Sequence, residues 1–322
     1  MKKVAVIRFS ALGDVAMLVP VVRTAAQQNP GIDFTVVSRL QTADLWSDMP
    51  GNVHFFGADL KGKHRGTKGL KTLLNEIDYH SFDAVADMHS VLRSWYMDFR
   101  WLMAGVKVRR IDKGRTEKRW LVSPLNHNKR QLKTTIQRYV DVLTSLNINI
   151  TLPYPQTTKG EGIGVAPFAA QRGKIYPVER MEALVRKLSV REKIYLFGGG
   201  KREIETLESW AEKYDNVICV AGRHTMKEEL QIIRNLRVMI CMDSANMHLA
   251  SLVGTRVISV WGATDPKAGF LGWGQSHEDC IYQDLPCRPC SIYGNKKCRF
   301  GDYRCLDFEA TAILQRLSPC KP

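Results

Sequence analysis

Short apolar runs rich in β-branched residues recur along the chain. They are 3–8 KVAVIR, 33–38 DFTVVS, 83–88 DAVADM, 162–167 GIGVAP, 193–198 KIYLFG, 216–221 NVICVA, 238–242 VMICM and 256–261 RVISVW. Most are apolar at successive positions rather than at every second one, as in strands buried on both faces of a parallel sheet. Amphipathic helical patterns separate them, among them Val15–Gln28, Arg138–Leu146, Val178–Leu188, Ile204–Lys213 and Met226–Leu236. The polar, Pro- and Gly-containing stretch 147–162, NINITLPYPQTTKGEG, breaks this rhythm before the strand–loop–helix pattern restarts. The pattern predicts an α/β protein of two Rossmann-like, doubly wound parallel-sheet domains, 1–155 and 156–322. In such sheets ligands bind beyond the carboxyl ends of the strands, here in a cleft that the two domains face.

Composition changes this picture in one respect. The 322 residues hold 47 Lys+Arg against 32 Asp+Glu, a net charge of +15. Residues 1–150 carry 23 Lys+Arg and 13 Asp+Glu, and the remainder 24 and 19. A basic first half suits a polyanionic partner such as a phosphorylated glycan, an anionic membrane surface or nucleic acid, or is simply a solvated basic surface. No RNA-reading motif accompanies the basic runs, which argues against nucleic acid. No stretch reaches the roughly 18 apolar residues of a membrane span, and Arg8 and Asp14 interrupt any signal-peptide core. A cytoplasmic location is therefore expected, with the eight cysteines reduced or bound to metal.

Chemistry is concentrated at four strand ends. In VIRFSALGDV (6–15) the turn Ser10-Ala11-Leu12-Gly13-Asp14 opens a helix. Gly13 allows an unusual backbone or close ligand approach, and Asp14 is either a helix cap or a general base. In VAPFAAQRGKIYP (165–177), Arg172 and Lys174 precede a helix start and suit a diphosphate, or form a solvated basic loop. In LFGGGKREIE (196–205), Glu203 is a candidate ribose ligand or a helix-dipole partner. In VMICMDSANMHLASLVG (238–254), Asp243 ends a strand and Ser244-Ala245-Asn246 lead into a helix with His248 in its first turn. No G-x-G-x-x-G fingerprint is present, which disfavours a nicotinamide enzyme.

Together RFSALGDV, DAVADMHSVLRS (83–94), KIYP and MDSANMHLASLVGTRVISVWGATDP resemble the ADP-heptose:lipopolysaccharide heptosyltransferases of glycosyltransferase family 9. The resemblance implies the GT-B architecture and a metal-independent transferase that inverts the donor's anomeric centre. It implies Asp14 as general base, with Ser10, Gly13 and Arg93 on the acceptor side. It implies Lys174 on the donor diphosphate and Asp243 on the sugar hydroxyls. Ser244, Ala245, Asn246 and His248 fall at the diphosphate, Glu203 near the ribose, and His224 or Thr225 at the adenine. The chain departs from the family at Ala169 and Ala170, where hydroxyl residues are usual, and at Ala245, where glycine is usual.

The implied partners are an ADP-sugar donor, a lipopolysaccharide inner-core acceptor and the inner membrane's anionic surface, with no required cofactor. The alternatives are the same fold with another nucleotide sugar or acceptor, and a non-catalytic nucleotide- or polyanion-binding protein. Cys287, Cys290, Cys298 and Cys305 lie in a Cys-rich loop (280–305), where C-x2-C spacing admits structural zinc as a weaker alternative to free thiols. A final helix, 308–317, is expected to pack back toward the first domain.

Overall fold

A computed structural model of the chain describes residues 2–317. The described residues divide into two compact units, one of 2–113 and 134–154 and the other of 114–133 and 155–317. In the first, β1 (Lys2–Ile7), β2 (Ile32–Arg39), β3 (Val53–Ala58), β4 (Ala84–Asp87) and β5 (Lys107–Arg110) form one parallel sheet in the order β3-β2-β1-β4-β5. Helices α1 (Leu12–Gln28), α2 (Gly66–Glu76), α3 (Leu92–Met103) and α5 (Thr135–Thr144) belong to this unit, and the short α4 (Arg115–Leu121) to the other. The change of direction lies between β1 and β4, whose register pairs Ile7 with Asp87.

The second unit contains β6 (Ile163–Ala166), β7 (Ile194–Leu196), β8 (Val217–Cys219), β9 (Val238–Met242), β10 (Val257–Val260) and β11 (Cys280–Ile281). These are parallel in the order β11-β10-β9-β6-β7-β8. Helices α6 (Val178–Ser189), α7 (Lys201–Lys213), α8 (Met226–Arg234) and α9 (Ala245–Leu252) follow successive strands, and α10 (Thr311–Leu317) closes the described chain. Here the change of direction falls between β6 and β9, paired through Ala166 and Cys241.

The predicted strands reappear because continuous apolar runs can be buried only between two helical layers. Ile7, Phe9, Val37, Val85, Met97 and Trp101 meet in the first core, and Val165, Leu196, Ile240, Val260 and Trp210 in the second. Complete burial of one such side chain stabilises the fold by about 1.5–3 kcal/mol. Six elements escaped the sequence criteria, two of them the two-residue β11 and the short α4. Strands β3 and β5 are edge strands whose sequences, VHFFGA and KVRR, mix in polar residues. Helix α2 is short and lysine-rich, and α3 is apolar on its outer side as well as its inner one.

Two expectations about the chain's course are revised. Residues 1–155 were expected as one domain, whereas residues 114–133 group with the second unit. Leu132 N there donates to the Lys267 carbonyl at 2.9 Å, and Lys118 lies 4.2 Å from the centre of the Phe270 ring. The final helix, α10, buries Ile313 and Leu317 in the second unit's own core instead of returning to the first.

Candidate active site

The first unit assembles polar residues where β1 and β4 end. Asp14 is the third residue of α1, so its capping role is not that of the N-cap, which is Ala11. One carboxylate oxygen of Asp14 accepts from the Ala11 backbone N–H at 3.1 Å and is also ion-paired with Arg8. Arg8 is buried, donates to the Met88 carbonyl at 2.5 Å, and lies 6.0 Å from the centre of the Tyr139 ring. The Tyr139 hydroxyl donates to the Asp14 backbone carbonyl at 3.1 Å, and burial pushes its phenol pKa up. A half-exposed carboxylate is thus held in one place from three sides, through its oxygen and its backbone.

The turn after β4 supplies the facing groups. Asp87 accepts from the backbone N–H groups of His89 and Ser90, each at 2.8 Å, and from the Ser94 hydroxyl at 2.7 Å. These bonds hold Ser90 at a φ of +47°, a conformation unfavourable to a residue with a side chain. The turn buries His89 with its Nε2 3.3 Å from the Ser10 hydroxyl. Burial, reinforced by the positive charge of Arg8, lowers the His89 pKa to about 3, so the imidazole is neutral. Its Nδ1 is buried without a hydrogen-bond partner. Behind it, burial and the Asp87 carboxylate raise Asp98 to about 7, while Arg110 Nε donates to Asp98 at 2.5 Å. Arg93, second in α3, is close enough for its charge to act on His89. Gly13 is buried in the first turn of α1 and uses ordinary helical geometry, so the unusual backbone suggested for it is not adopted.

In the second unit the groups lie where β6 and β9 end. Lys174 closes a short 3-10 turn, Arg172–Lys174, and its Nζ is 2.9 Å from Asp243 at the end of β9. Their contact is not aligned as a hydrogen bond, which leaves the ammonium's donors for other acceptors. Ser244 is the extended N-cap of α9 but makes no side-chain cap bond, and its hydroxyl is buried and unpaired. Ala245 and Asn246 are the first two helical residues, followed by buried His248. The N–H groups at this helix start and the Ser244 hydroxyl suit an anion.

The Cys-rich loop supports this turn. Gly294 has a φ of +74°, and a Cβ there would sit 2.7 Å from Lys174 Cγ, so only glycine admits the lysine stem. Buried Arg288 donates to the carbonyls of Gly262 at 2.6 Å, Thr264 at 2.7 Å and Gln283 at 2.9 Å. It thereby ties the WGATDP turn to the loop. Ala263 N in turn donates to the Gly173 carbonyl at 2.8 Å. The cysteines are free thiols, with Cys305 buried in the core. Among the described residues no three His, Cys, Asp or Glu side chains are placed to share a metal ion.

Other expected donor residues have local roles. Glu203 reaches back to accept from the Gly199 N–H at 2.8 Å, which closes its own helix start. Thr225 caps α8, its hydroxyl accepting from Glu228 N at 3.3 Å, and His224 is exposed beside it. A cavity of about 910 Å³ lies elsewhere in this unit, between residues 122–129 and the Cys-rich loop. It contains none of the Lys174–Asp243–Ser244 group, so this void is distinct from the candidate chemistry. Of the residues singled out in the sequence, the fold brings Ser10 and Asp14 together in one unit and Lys174, Asp243 and Ser244 in the other. It adds Arg8 and His89, which fall inside the RFSALGDV and DMHSVLRS motifs, and Tyr139, which carried no sequence signal.

Comparison with known proteins shows what the chain is similar to. Residues 156–303 match the profile of "Glycosyltransferase family 9 (heptosyltransferase)". Lipopolysaccharide heptosyltransferase 3 of Escherichia coli is 23% identical over 279 residues, covering 79% of this chain and 81% of that protein. Among solved structures, the glycosyl transferase family 9 protein of Veillonella parvula superposes with a TM-score of 0.74 at 16% identity, over 98% of this chain and 95% of that one. The E. coli heptosyltransferase WaaC with ADP superposes with a TM-score of 0.67 at 19% identity, over 98% of each chain. The two parallel-sheet units are therefore those of the GT-B fold. Taken with the strand-end chemistry, these matches make the chain a transferase enzyme similar to glycosyltransferase family 9, whose profile its second unit matches.

Proposed function

We propose that the protein is an inverting heptosyltransferase that moves heptose from ADP-heptose to the inner core of lipopolysaccharide. The reading draws on the named relatives, and one observation carries it to this chain. At the switch point of each sheet stands the group that a displacement at a sugar carbon requires: a fixed carboxylate in the first unit, a cation and an open helix start in the second. Asp14 takes the proton of the acceptor hydroxyl as its oxygen bonds to C1 of the heptose. The bond from C1 to the diphosphate oxygen breaks, and ADP leaves from the opposite face with inversion. Negative charge gathers on that oxygen, where Lys174 and the N–H groups of α9 stabilise it. Asp243 orients the sugar hydroxyls and holds Lys174 in position, and no step calls for a metal ion.

On the acceptor side, Ser10, Arg93 and the neutral His89 line the approach to Asp14. Ser10 offers a hydroxyl, and Arg93 offers a charge for the anionic core glycan. His224, Thr225 and Glu203 are the weaker part of the donor assignment, because Thr225 and Glu203 already satisfy their own helix starts. The basic first half fits an enzyme working in the cytoplasm at the inner face of an anionic membrane. Among the described residues no helix is long and apolar enough to cross that membrane.

The test is transfer measured by mass spectrometry with ADP-heptose and a truncated core acceptor. Asp14→Asn is expected to lower kcat by about 10²–10⁴ while ADP affinity stays within about twofold. Near-normal turnover in that variant would remove Asp14 as the base. Stabilisation by UDP or GDP but not by ADP would instead favour the same fold with another donor.

A further inference from the structure

Two carboxylates lie fully buried behind the turn that carries His89. Asp87 ends β4 and Asp98 sits in α3, and neither side chain reaches solvent. Ser94 and Asp98 lie one helical turn apart on the inner face of α3, and both meet Asp87. The Ser94 hydroxyl donates to Asp87 at 2.7 Å, and the Asp98 carboxyl is within hydrogen-bonding reach of it. Ionised carboxylates only accept hydrogen bonds, so two of them can bond to each other only through a proton.

The donors around the pair are unequally shared. Asp87 accepts from the His89 and Ser90 N–H groups as well as from Ser94, and Arg8 adds its charge from the turn after β1. Asp98 has Arg110 Nε of β5 on its Oδ2, while its Oδ1 is buried with no donor. The Arg110 side chain is 42% exposed, so water also balances its charge. The remaining charged groups of the turn, Asp14, Arg93 and Lys113, act on His89. Three donors hold Asp87 as the anion, and one half-solvated cation does not keep a second buried carboxylate ionised beside it. The proton of the pair therefore resides on Asp98, where burial and the Asp87 charge raise the carboxyl to about 7.

We infer that Asp98 is a positioning residue for the acceptor site: its protonated carboxyl donates to Asp87, and loss of that proton loosens the turn that holds His89 against Ser10. Asp87 ties together the N–H groups that keep Ser90 at a φ of +47° and His89 Nε2 3.3 Å from the Ser10 hydroxyl. A second charge beside Asp87 repels it from that position. Acceptor use then weakens as pH rises through about 7, while ADP affinity does not change. The effect on the acceptor rests on the transferase reading above, whereas the shared proton does not.

Infrared spectroscopy reads the proton directly. The difference between the parent and Asp98→Asn should show a protonated-carboxyl band at about pH 6 that is gone by about pH 8.5. Glu229, which burial also raises to about 7, contributes to both proteins and cancels. The native state keeps a proton that the unfolded chain releases near pH 4, to within about half a unit. Parent stability should therefore fall, relative to Asp98→Asn, as pH rises from about 4 to about 7. Asparagine keeps an N–H donor for Asp87 and cannot ionise. The acceptor KM of Asp98→Asn should thus stay within about twofold of the parent at about pH 6 and remain flat, whereas the parent's rises about fivefold by about pH 8.5. A purely structural role would shift KM equally at every pH. Should the variant not fold, carboxyl-carbon NMR of aspartate-labelled parent should show one aspartate titrating near 7, to within about one unit. Absence of the band or of that titration overturns the inference, and so do parallel KM profiles in the two proteins. A band without transfer by either protein upholds the shared proton and defeats only the transferase reading.

Discussion

Helices α1 and α9 start in the same topological position, each after a strand beside its sheet's switch point, yet their ends are finished differently. At α1 the protein closes its own helix start, with Asp14 accepting from the Ala11 N–H and pairing with buried Arg8. At α9 the N-cap Ser244 makes no such bond, its hydroxyl stays unpaired, and the nearest charge is the Lys174–Asp243 pair. One start is built to hold a carboxylate still, and the other to receive an anion. The contrast suits a division of labour in which proton transfer needs a fixed base and the leaving diphosphate needs donors without prior partners.

The largest test of that contrast is at Lys174. Lys174→Ala should lower kcat/KM by about 10²–10³ and weaken ADP binding, while thermal stability changes little because the lost pair leaves Asp243 at an open helix start. Calorimetric ADP titration beside turnover measures both.

A second test uses buried His89, whose Nδ1 has no hydrogen-bond partner. Its pKa is lowered to about 3 in the folded state, so below about pH 6.5 the unfolded chain binds a proton that the native one does not. Stability should therefore fall with falling pH, by up to about 1.4 kcal/mol per unit between pH 6 and 4, relative to His89→Gln. Parallel denaturation profiles of the two proteins would contradict a neutral, buried imidazole.

Smaller effects probe the supports. Gly294→Ala places a Cβ against the Lys174 stem at a φ that disfavours side chains. It should weaken ADP binding about tenfold, a loss of roughly 1–3 kcal/mol, with the second unit still folded. Last, Thr225→Ala removes a made cap at α8 and should cost about 1 kcal/mol of stability, whereas Ser244→Ala removes none and should stay within about 0.5 kcal/mol. Equal destabilisation by these two substitutions, measured by urea unfolding, would erase the distinction between closed and open helix starts.

Much of this architecture was legible along the chain. Runs such as VAVI, GVA and VMICM are apolar at consecutive positions, so they must lie in a doubly covered sheet wherever they occur. Edge strands β3 and β5 were not legible, because a strand exposed on one side tolerates His54, Gly57, Arg109 and Arg110. Asp14, Lys174 and Asp243 stand out in the turns that follow apolar strands, where helix capping or a solvated loop competes with chemistry, and the family resemblance is what assigns them roles. Arg8 and Tyr139 do not, since nothing local shows that an arginine ending β1 and a tyrosine in α5 will meet. The exposed apolar side of α3 was equally hidden, because which face of a helix is buried depends on what the fold packs against it.

The sequence by itself determined two parallel sheets with helices between their strands, because these follow from local periodicity and turn residues. The tertiary structure alone decided that residues 114–133 join the second unit and that α10 stays within it. It also decided that Gly294 shapes the bed of Lys174 and that Glu203 and Thr225 are taken up by their own helices. These depend on which distant segments meet, and partner choice over such separations is set by packing of whole surfaces rather than by any local pattern.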